Sequence, residues 1–324
     1  MWEILTATAL AVAATPPPEQ VFLLREPGEP ALSVRHEPGP GPIVVYVHGA
    51  TFPAALSMNY RIDGKSWADD LHARGFDVWS FDFAGYGDSD HPASMRLASV
   101  PRDKVPGRAH GAARQIERVI RYVRAETHHP QVSIIAHSWG TIPAGLFTGT
   151  HADWVDKLVL FGPVAQRAGN KLEIGPTAPA ILVSASDQWE SFQTRIPETS
   201  PVPISKTRFD TWVQAYLASD PTSSQRTPPS ATAPAGPVVD IQDAWNGHFP
   251  YDPAIVRTPT LIARGEWDNV AGDADAAWLV KAMKNVPGGV QDVKLTGGAH
   301  RMHLEENRQA LFNAVGDFLT GKQP

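Results

Sequence analysis

The sequence predicts an α/β fold: a mostly parallel central sheet with helices on both faces, interrupted by one long insertion. Three observations lead to this. Short apolar runs alternate with stretches of helical spacing along most of the chain. One such run, Val132 to Ala136, passes through a sharp turn directly into the helix-like stretch Thr141 to Gly149. Finally, nearly a hundred residues separate the strand Val155 to Phe161 from the next one at Thr260, whereas a simple crossover needs only about a dozen.

The elements follow in order. Residues 1–20 form an N-terminal segment: Leu5 to Ala14 is apolar and small, and Ala11-Val12-Ala13 has the form of a cleavage site. No Lys or Arg precedes Arg25, however, and Glu3 is acidic, so a short helix on a cytoplasmic protein is expected rather than a secretion signal. The run is also far short of the ~20 residues that span a bilayer. The core begins at residue 21. Val21 to Arg25 and Ala31 to Glu37 read as a hairpin turning at Glu26-Pro27-Gly28-Glu29-Pro30. Ile43 to Val47 reads as a buried strand, and Lys65 to Ala73 as a helix stopped by Gly75. Phe76 to Phe83 is the next strand, and Ala112 to Thr127 carries Ile116, Val119, Ile120 and Val123 at helical spacing. The core's first part is thus 21–164, the insertion 165–250 and the second part 251–324. The insertion is expected to be a lid, its middle from Pro221 to Pro237 an irregular loop rich in Pro, Ser, Thr and Ala.

The chemistry centres on Ala136-His137-Ser138-Trp139-Gly140. Strand, tight turn and helix with a serine at the apex make a nucleophile elbow, in which small flanking residues leave the hydroxyl exposed above the sheet. Ala136 stands where glycine is usual. Val44-Val45-Tyr46-Val47-His48-Gly49 precedes the elbow; Pro259 to Gly265 follows it, with Asp268 in the next loop; Gly297-Gly298-Ala299-His300 leaves the last strand, Val290 to Leu295. The order Ser, Asp, His resembles the α/β-hydrolase superfamily, from about residue 20 to the end. The resemblance implies a serine esterase-like enzyme with an inserted lid, without fixing a subfamily.

A serine hydroxyl is a poor nucleophile until a histidine accepts its proton, and that histidine needs a carboxylate to fix its tautomer. Ser138 is the expected nucleophile and His300 the base, in the glycine-rich loop; His303 lies a turn further on, as a structural residue near the lid. The exit of the strand after the elbow, Phe161-Gly162-Pro163-Val164-Ala165, holds no acid. The later loop therefore supplies it, and there Asp268 is preferred to Glu266 and Asp273 on the family-like spacing Gly265-x-x-Asp268. The oxyanion hole is expected from the backbone N–H groups of Trp139 and Ala50, with Thr51 as alternative to Ala50. His48 and His137 are expected to be structural, Asp82 and Asp88 turn-forming, and His128-His129 a solvated helix end. Gly85-x-Gly87 lacks the third glycine of a dinucleotide site.

Phe52, Met58 and Tyr60 after His48-Gly49-Ala50, and Trp189, Trp212 and Phe249 in or beside the insertion, suggest a roomy aromatic pocket for a hydrophobic ester or lactone. Trp245 is a further insertion tryptophan. A prolyl-type aminopeptidase is the first alternative: Ser138-Trp139-Gly140 resembles the Ser-Trp-Gly of those enzymes, and Glu173, Glu190 or Glu198 could bind an α-amino group, although their His-Gly-Gly-Pro-Gly stretch is replaced by His48-Gly49-Ala50-Thr51-Phe52-Pro53. A carbon–carbon-bond hydrolase or acyl transferase would use the same triad, and a non-catalytic ligand-binding protein is the remote alternative. A serine rather than an aspartate at the elbow argues against dehalogenase or epoxide-hydrolase chemistry, which attacks through a carboxylate. The net charge of −6 with scattered basic residues leaves no footprint for nucleic acid. With no cysteine in the chain, thiolate catalysis and sulfur-ligated metals are excluded. No cofactor is called for, and oligomeric state is open.

Overall fold

A computed structural model describes residues 19–169 and 177–322; the helix expected within residues 1–20 falls almost wholly outside them. The leading hairpin is β1 (Gln20–Leu24) and β2 (Leu32–Glu37). Then come β3 (Ile43–Val47), α1 (Trp67–Ala73), β4 (Asp77–Phe81), α2 (Ala109–Thr127), β5 (Val132–His137), α3 (Thr141–Thr150) and β6 (Val155–Phe161). The insertion carries β7 (Ala180–Ser184), α4 (Ala185–Gln193), α5 (Lys206–Ala218), β8 (Ser230–Pro234) and α6 (Gly236–Trp245). The chain returns through β9 (Thr260–Gly265), α7 (Asp273–Ala282), β10 (Gln291–Leu295) and α8 (Arg308–Thr320).

Among the described residues the main sheet has eight strands in the order β1-β2-β4-β3-β5-β6-β9-β10. Only the β1–β2 and β2–β4 pairs are antiparallel; β4, β3, β5, β6, β9 and β10 run parallel. Alternation of side chains along each strand builds two core layers. Val45, Val47, Ile134, Leu158, Leu160 and Ile262 face Ile116, Val119, Ile120 and Val123 of α2, Phe147 of α3 and Leu279 of α7. Val44, Tyr46, Ile135, Val159, Phe161 and Leu261 face Trp67 and Leu71 of α1 and Leu311, Phe312 and Val315 of α8. Both faces are covered, so the central strands are continuously apolar. Ser66 caps α1, its hydroxyl accepting from the Asp69 amide at 2.9 Å while the Asp69 carboxylate accepts from the Ser66 amide at 2.8 Å. No helix of the described residues is long and apolar enough to cross a membrane.

The segment expected as an irregular loop is ordered. Ser230–Pro234 pairs antiparallel with Ala180–Ser184, and α6 begins at Gly236. The composition that suggested a loop instead supplies small residues, Ala231 and Ala233, which are buried. Asp220 fastens the turn before this strand: its carboxylate accepts from the Thr222 and Thr232 amides, at 2.8 and 2.9 Å, and pairs with Arg226. The insertion is tied to the core by charge as well. Asp240 and Asp243 of α6 bind Arg108 at the start of α2, and Asp243 also binds Arg102.

Asp82, the residue after β4, is more than a turn former. It is 1% exposed, its Oδ1 accepts from the Ala54 amide at 2.7 Å, and its Oδ2 has no partner. Burial pushes this carboxyl from 3.8 to about 7. Between those values the native state keeps a proton that the unfolded chain releases, so stability falls as pH rises through this window. Asp82→Asn, which keeps an oxygen for Ala54 and carries no charge, should flatten the decline between about pH 4 and 7. Urea midpoints across that range measure it; an unchanged slope would place the titration elsewhere.

Candidate active site

The elbow forms at the carboxyl end of β5, near the middle of the sheet. Ser138 has φ of +56°, a conformation costly for any residue with a Cβ and characteristic of functional turns. Such a turn can form only if its surroundings are small. A Cβ on Gly140 would lie 2.3 Å from the His48 carbonyl oxygen, so only glycine lets the start of α3 pass the end of β3. Ala136 is inside the sheet beside Val47 and Leu160, where its methyl group is fully buried.

Three loops leaving β5, β9 and β10 converge there. The Ser138 hydroxyl donates to His300 Nε2 at 2.8 Å, and the His300 Nδ1–H faces both Asp268 oxygens, at 3.0 and 3.1 Å. Asp268 Oδ1 also accepts from the amides of Val270 and Ala271, at 2.8 and 2.9 Å. Burial pushes the Asp268 carboxyl up, but the His300 ring and these two amides more than offset it and hold the group below its ordinary value. The acid and histidine loops are laced together by backbone: the Trp267 amide donates to Gly298 and the Glu266 amide to Leu295, both at 2.8 Å. Glu266 itself bonds the Gly297 amide, and Asp273 pairs with Arg264 and Lys294. Neither competes for His300.

Gly162, Glu305 and Asp240, which sequence reasoning did not single out, complete the surroundings together with His137, which was expected to be structural. Gly162, at the exit of β6, has φ of +56°, and a Cβ there would lie 2.9 Å from Asp268 Oδ2 and 3.0 Å from His300 Nδ1. The absence of an acid at that exit was legible; that the dyad occupies the space was not. His137 donates from Nε2 to the His300 carbonyl at 3.0 Å, and burial keeps its ring neutral. Glu305, fully buried, accepts from the Ala299 amide at 2.9 Å and fixes the loop that carries His300. Asp240, in the insertion, accepts from Trp139 Nε1 at 3.0 Å and so joins α6 to the elbow. Nothing in their spacing marks Glu305 and Asp240, because each acts through a contact made only on folding.

Gly162→Ala should therefore cost about 10²-fold in turnover, the size expected when reacting groups are misplaced by about 1 Å. The check is kcat with any substrate turned over, beside the circular dichroism spectrum; full activity would mean that the dyad has room to spare.

Two further buried histidines lie near the site, His48 and His303. His48 donates from Nδ1 to the Gly49 carbonyl at 2.7 Å and accepts the Phe83 amide on Nε2 at 3.0 Å, while burial lowers its pKa to about 4. His303 Nε2 meets the Ser57 hydroxyl at 3.0 Å, which makes a second Ser–His contact. It differs from the first in one decisive respect: His303 Nδ1 is buried without a partner, and no carboxylate stands behind it to stabilise an imidazolium. Ser57 also bonds the Tyr46 hydroxyl inside the core.

Ala50 follows Gly49, whose Cα stands against Ser138, and precedes Thr51 with φ of +77°. Among the described residues, the Ala50 and Trp139 amides take part in no loop, turn or side-chain hydrogen bond. Of the residues expected in the pocket wall, Phe52 and Trp212 meet edge to face, with ring centroids 5.2 Å apart. Trp212 is 1% exposed and donates to the Leu56 carbonyl at 3.0 Å. Trp189 packs on Phe209, and Tyr60 lies beside the same cluster. Met58 has no exposed surface and belongs to the core layer around Tyr46 and Trp67, not to an open wall. Phe249 stands apart from Phe52 and Trp212, against Tyr251 and Trp278.

A family model described as alpha/beta hydrolase fold matches residues 42–307, and the chain belongs to that family. No curated protein matches the sequence. Among solved structures, a laboratory-evolved variant of a potato epoxide hydrolase is similar at 16% identity and a TM-score of 0.65, over 94% of this chain and 100% of that one. An epoxide hydrolase from Vigna radiata gives 16% and 0.61, over 94% and 98%. A thioesterase domain from the curacin biosynthetic pathway gives 16% and 0.58, over 92% and 99%. At these identities the likeness is one of fold.

Proposed function

We propose that the protein is a serine hydrolase that cleaves a carboxylic ester or lactone of a hydrophobic substrate through an acyl-enzyme. The observation that carries this reading is the continuous relay from Ser138 Oγ through His300 to Asp268, set on a strained elbow. His300 Nε2 takes the serine proton as Oγ attacks the acyl carbon; Asp268 holds the Nδ1–H tautomer and stabilises the imidazolium. The oxyanion would be received by the Ala50 and Trp139 amides. His300 then returns the proton to the departing alkoxide, and water, activated in the same way, releases the acid and restores Ser138.

The segment 165–250 is read as a lid. It leaves the sheet at the end of β6, and its far end returns to the same place, where the Phe249 amide donates to Gln166 Oε1 at 3.4 Å. Phe52 and Trp212, together with Trp189 at the cluster's edge, support an apolar surface between core and insertion. Tyr60 packs against the same cluster, whereas Met58 and Phe249 belong to other parts of the core.

An aminopeptidase would need a buried acid for its substrate's ammonium group. Glu190 and Glu198 are exposed, and Glu173 lies outside the described residues. Attack on an epoxide carbon through a carboxylate lacks its nucleophile, since the elbow carries serine. A panel of esters, lactones and aminoacyl amides, with a fluorophosphonate label directed at Ser138, tests the reading. Labelling with ester or lactone turnover supports it; turnover of aminoacyl amides alone, or no labelling, would overturn it.

A further inference from the structure

The residue after the base is an arginine in an unusual position. Among the described residues Arg301, 7% exposed, forms no ion pair and no side-chain hydrogen bond, and its Nη1 is buried without a partner. Its guanidinium lies 5.0 Å from the centre of the Phe192 ring of α4 and 5.6 Å from that of Phe52. Those aromatic faces attract the cation but give its N–H groups no acceptor. Burial lowers the guanidinium to about 10, so it stays charged at neutral pH. The Tyr216 hydroxyl and the Glu305 carboxyl face it, and burial pushes them up to about 12 and about 8. A desolvated, unpaired cation beside a catalytic centre is costly unless something else supplies the negative charge.

The surroundings tell where that charge would sit. Gln188, one turn before Phe192 on α4, is fully buried beside the Tyr216 hydroxyl; its Nε2 reaches the Thr51 hydroxyl at 3.3 Å, and its Oε1 makes no hydrogen bond. Turning this amide over keeps the Thr51 contact, with the hydroxyl now donating, and frees an NH2 group. Thr51 and Phe52 belong to the loop that presses on Ser138. Ser138, His300 and Arg301 each keep a small exposed area, whereas Trp139 and Met302 keep none.

We propose that Arg301, with Gln188, forms a carboxylate subsite, so that the substrate is an ester carrying a free carboxylate on its acyl chain. This rests on the hydrolase reading and adds the substrate class. The site would bind the carboxylate oxygens through charge-assisted hydrogen bonds, while Phe192 and Phe52 keep water away.

Two esters of equal chain length, 4-nitrophenyl pentanoate and the 4-nitrophenyl monoester of glutaric acid, differ only in a terminal methyl against a carboxylate. The wild type is expected to favour the acidic ester in kcat/KM by about tenfold to hundredfold, the range of one charge-assisted bond. Arg301→Met, which still fills the gap between the rings, should abolish the preference by costing the acidic ester about tenfold to hundredfold more than the neutral one, and Arg301→Lys should restore part of it. No preference in the wild type, or equal losses on both esters, would overturn the subsite. Calorimetric binding of both esters to Ser138→Ala needs no turnover. A carboxylate preference there, lost on adding Arg301→Met or, should that variant not fold, Arg301→Gln, upholds the subsite even if fluorophosphonate labelling fails and the hydrolase reading falls. Equal binding of both esters removes it.

Discussion

Ser138→Ala should lower kcat by about 10⁶-fold, the usual cost of removing a triad nucleophile, and leave the protein folded. The strain at this position is in the backbone, with φ of +56°, and serine and alanine bear it equally because both carry a Cβ. The only side-chain interaction lost is the 2.8 Å bond to His300. Thermal unfolding should move little, since His300 stays held through Asp268 and through its carbonyl bond to His137. The measurement is steady-state hydrolysis beside a circular dichroism melt. A variant that keeps a tenth of the wild-type rate would remove Ser138 from the chemistry.

Asp268→Asn should cost on the order of 10⁴-fold in kcat while the site keeps its shape. An asparagine oxygen can still accept from the Val270 and Ala271 amides, now at 2.8 and 2.9 Å from Oδ1. Its NH2 group would then face His300 Nδ1 and favour the tautomer with the proton on Nε2, which cannot accept from serine. The loss should therefore appear in acylation, and fluorophosphonate labelling of Ser138 should slow in parallel. Labelling at the wild-type rate would show that His300 is oriented without Asp268, and would move the acid to another residue.

The composition of the elbow, the order Ser, Asp, His and the alternation of strands with helices were enough to read the fold, because each is local: a period of two or of 3.6, a small residue at a crowded turn, a carboxylate just past a strand. That Ser138, Asp268 and His300 would meet was legible for the same reason, since parallel strands deliver the loops at their carboxyl ends to one place. The insertion was legible only as a gap in that alternation. Its strand Ser230–Pro234 was hidden because small and polar residues form a strand only when a partner, Ala180–Ser184, covers them.

What the sequence by itself determined, then, was the sheet and the residues that its strand ends bring together. The tertiary structure decided everything that depends on approach between distant segments. Met58 went into the core and Trp212 onto Phe52; Asp240 reached the Trp139 indole; Gly162 left room for the dyad; Arg301 was enclosed between two rings with no acceptor. The physical reason is that burial and pairing are properties of the whole packed chain. A side chain's type states what it can bond, and only its neighbours in space settle whether that bond is made or left open for a ligand.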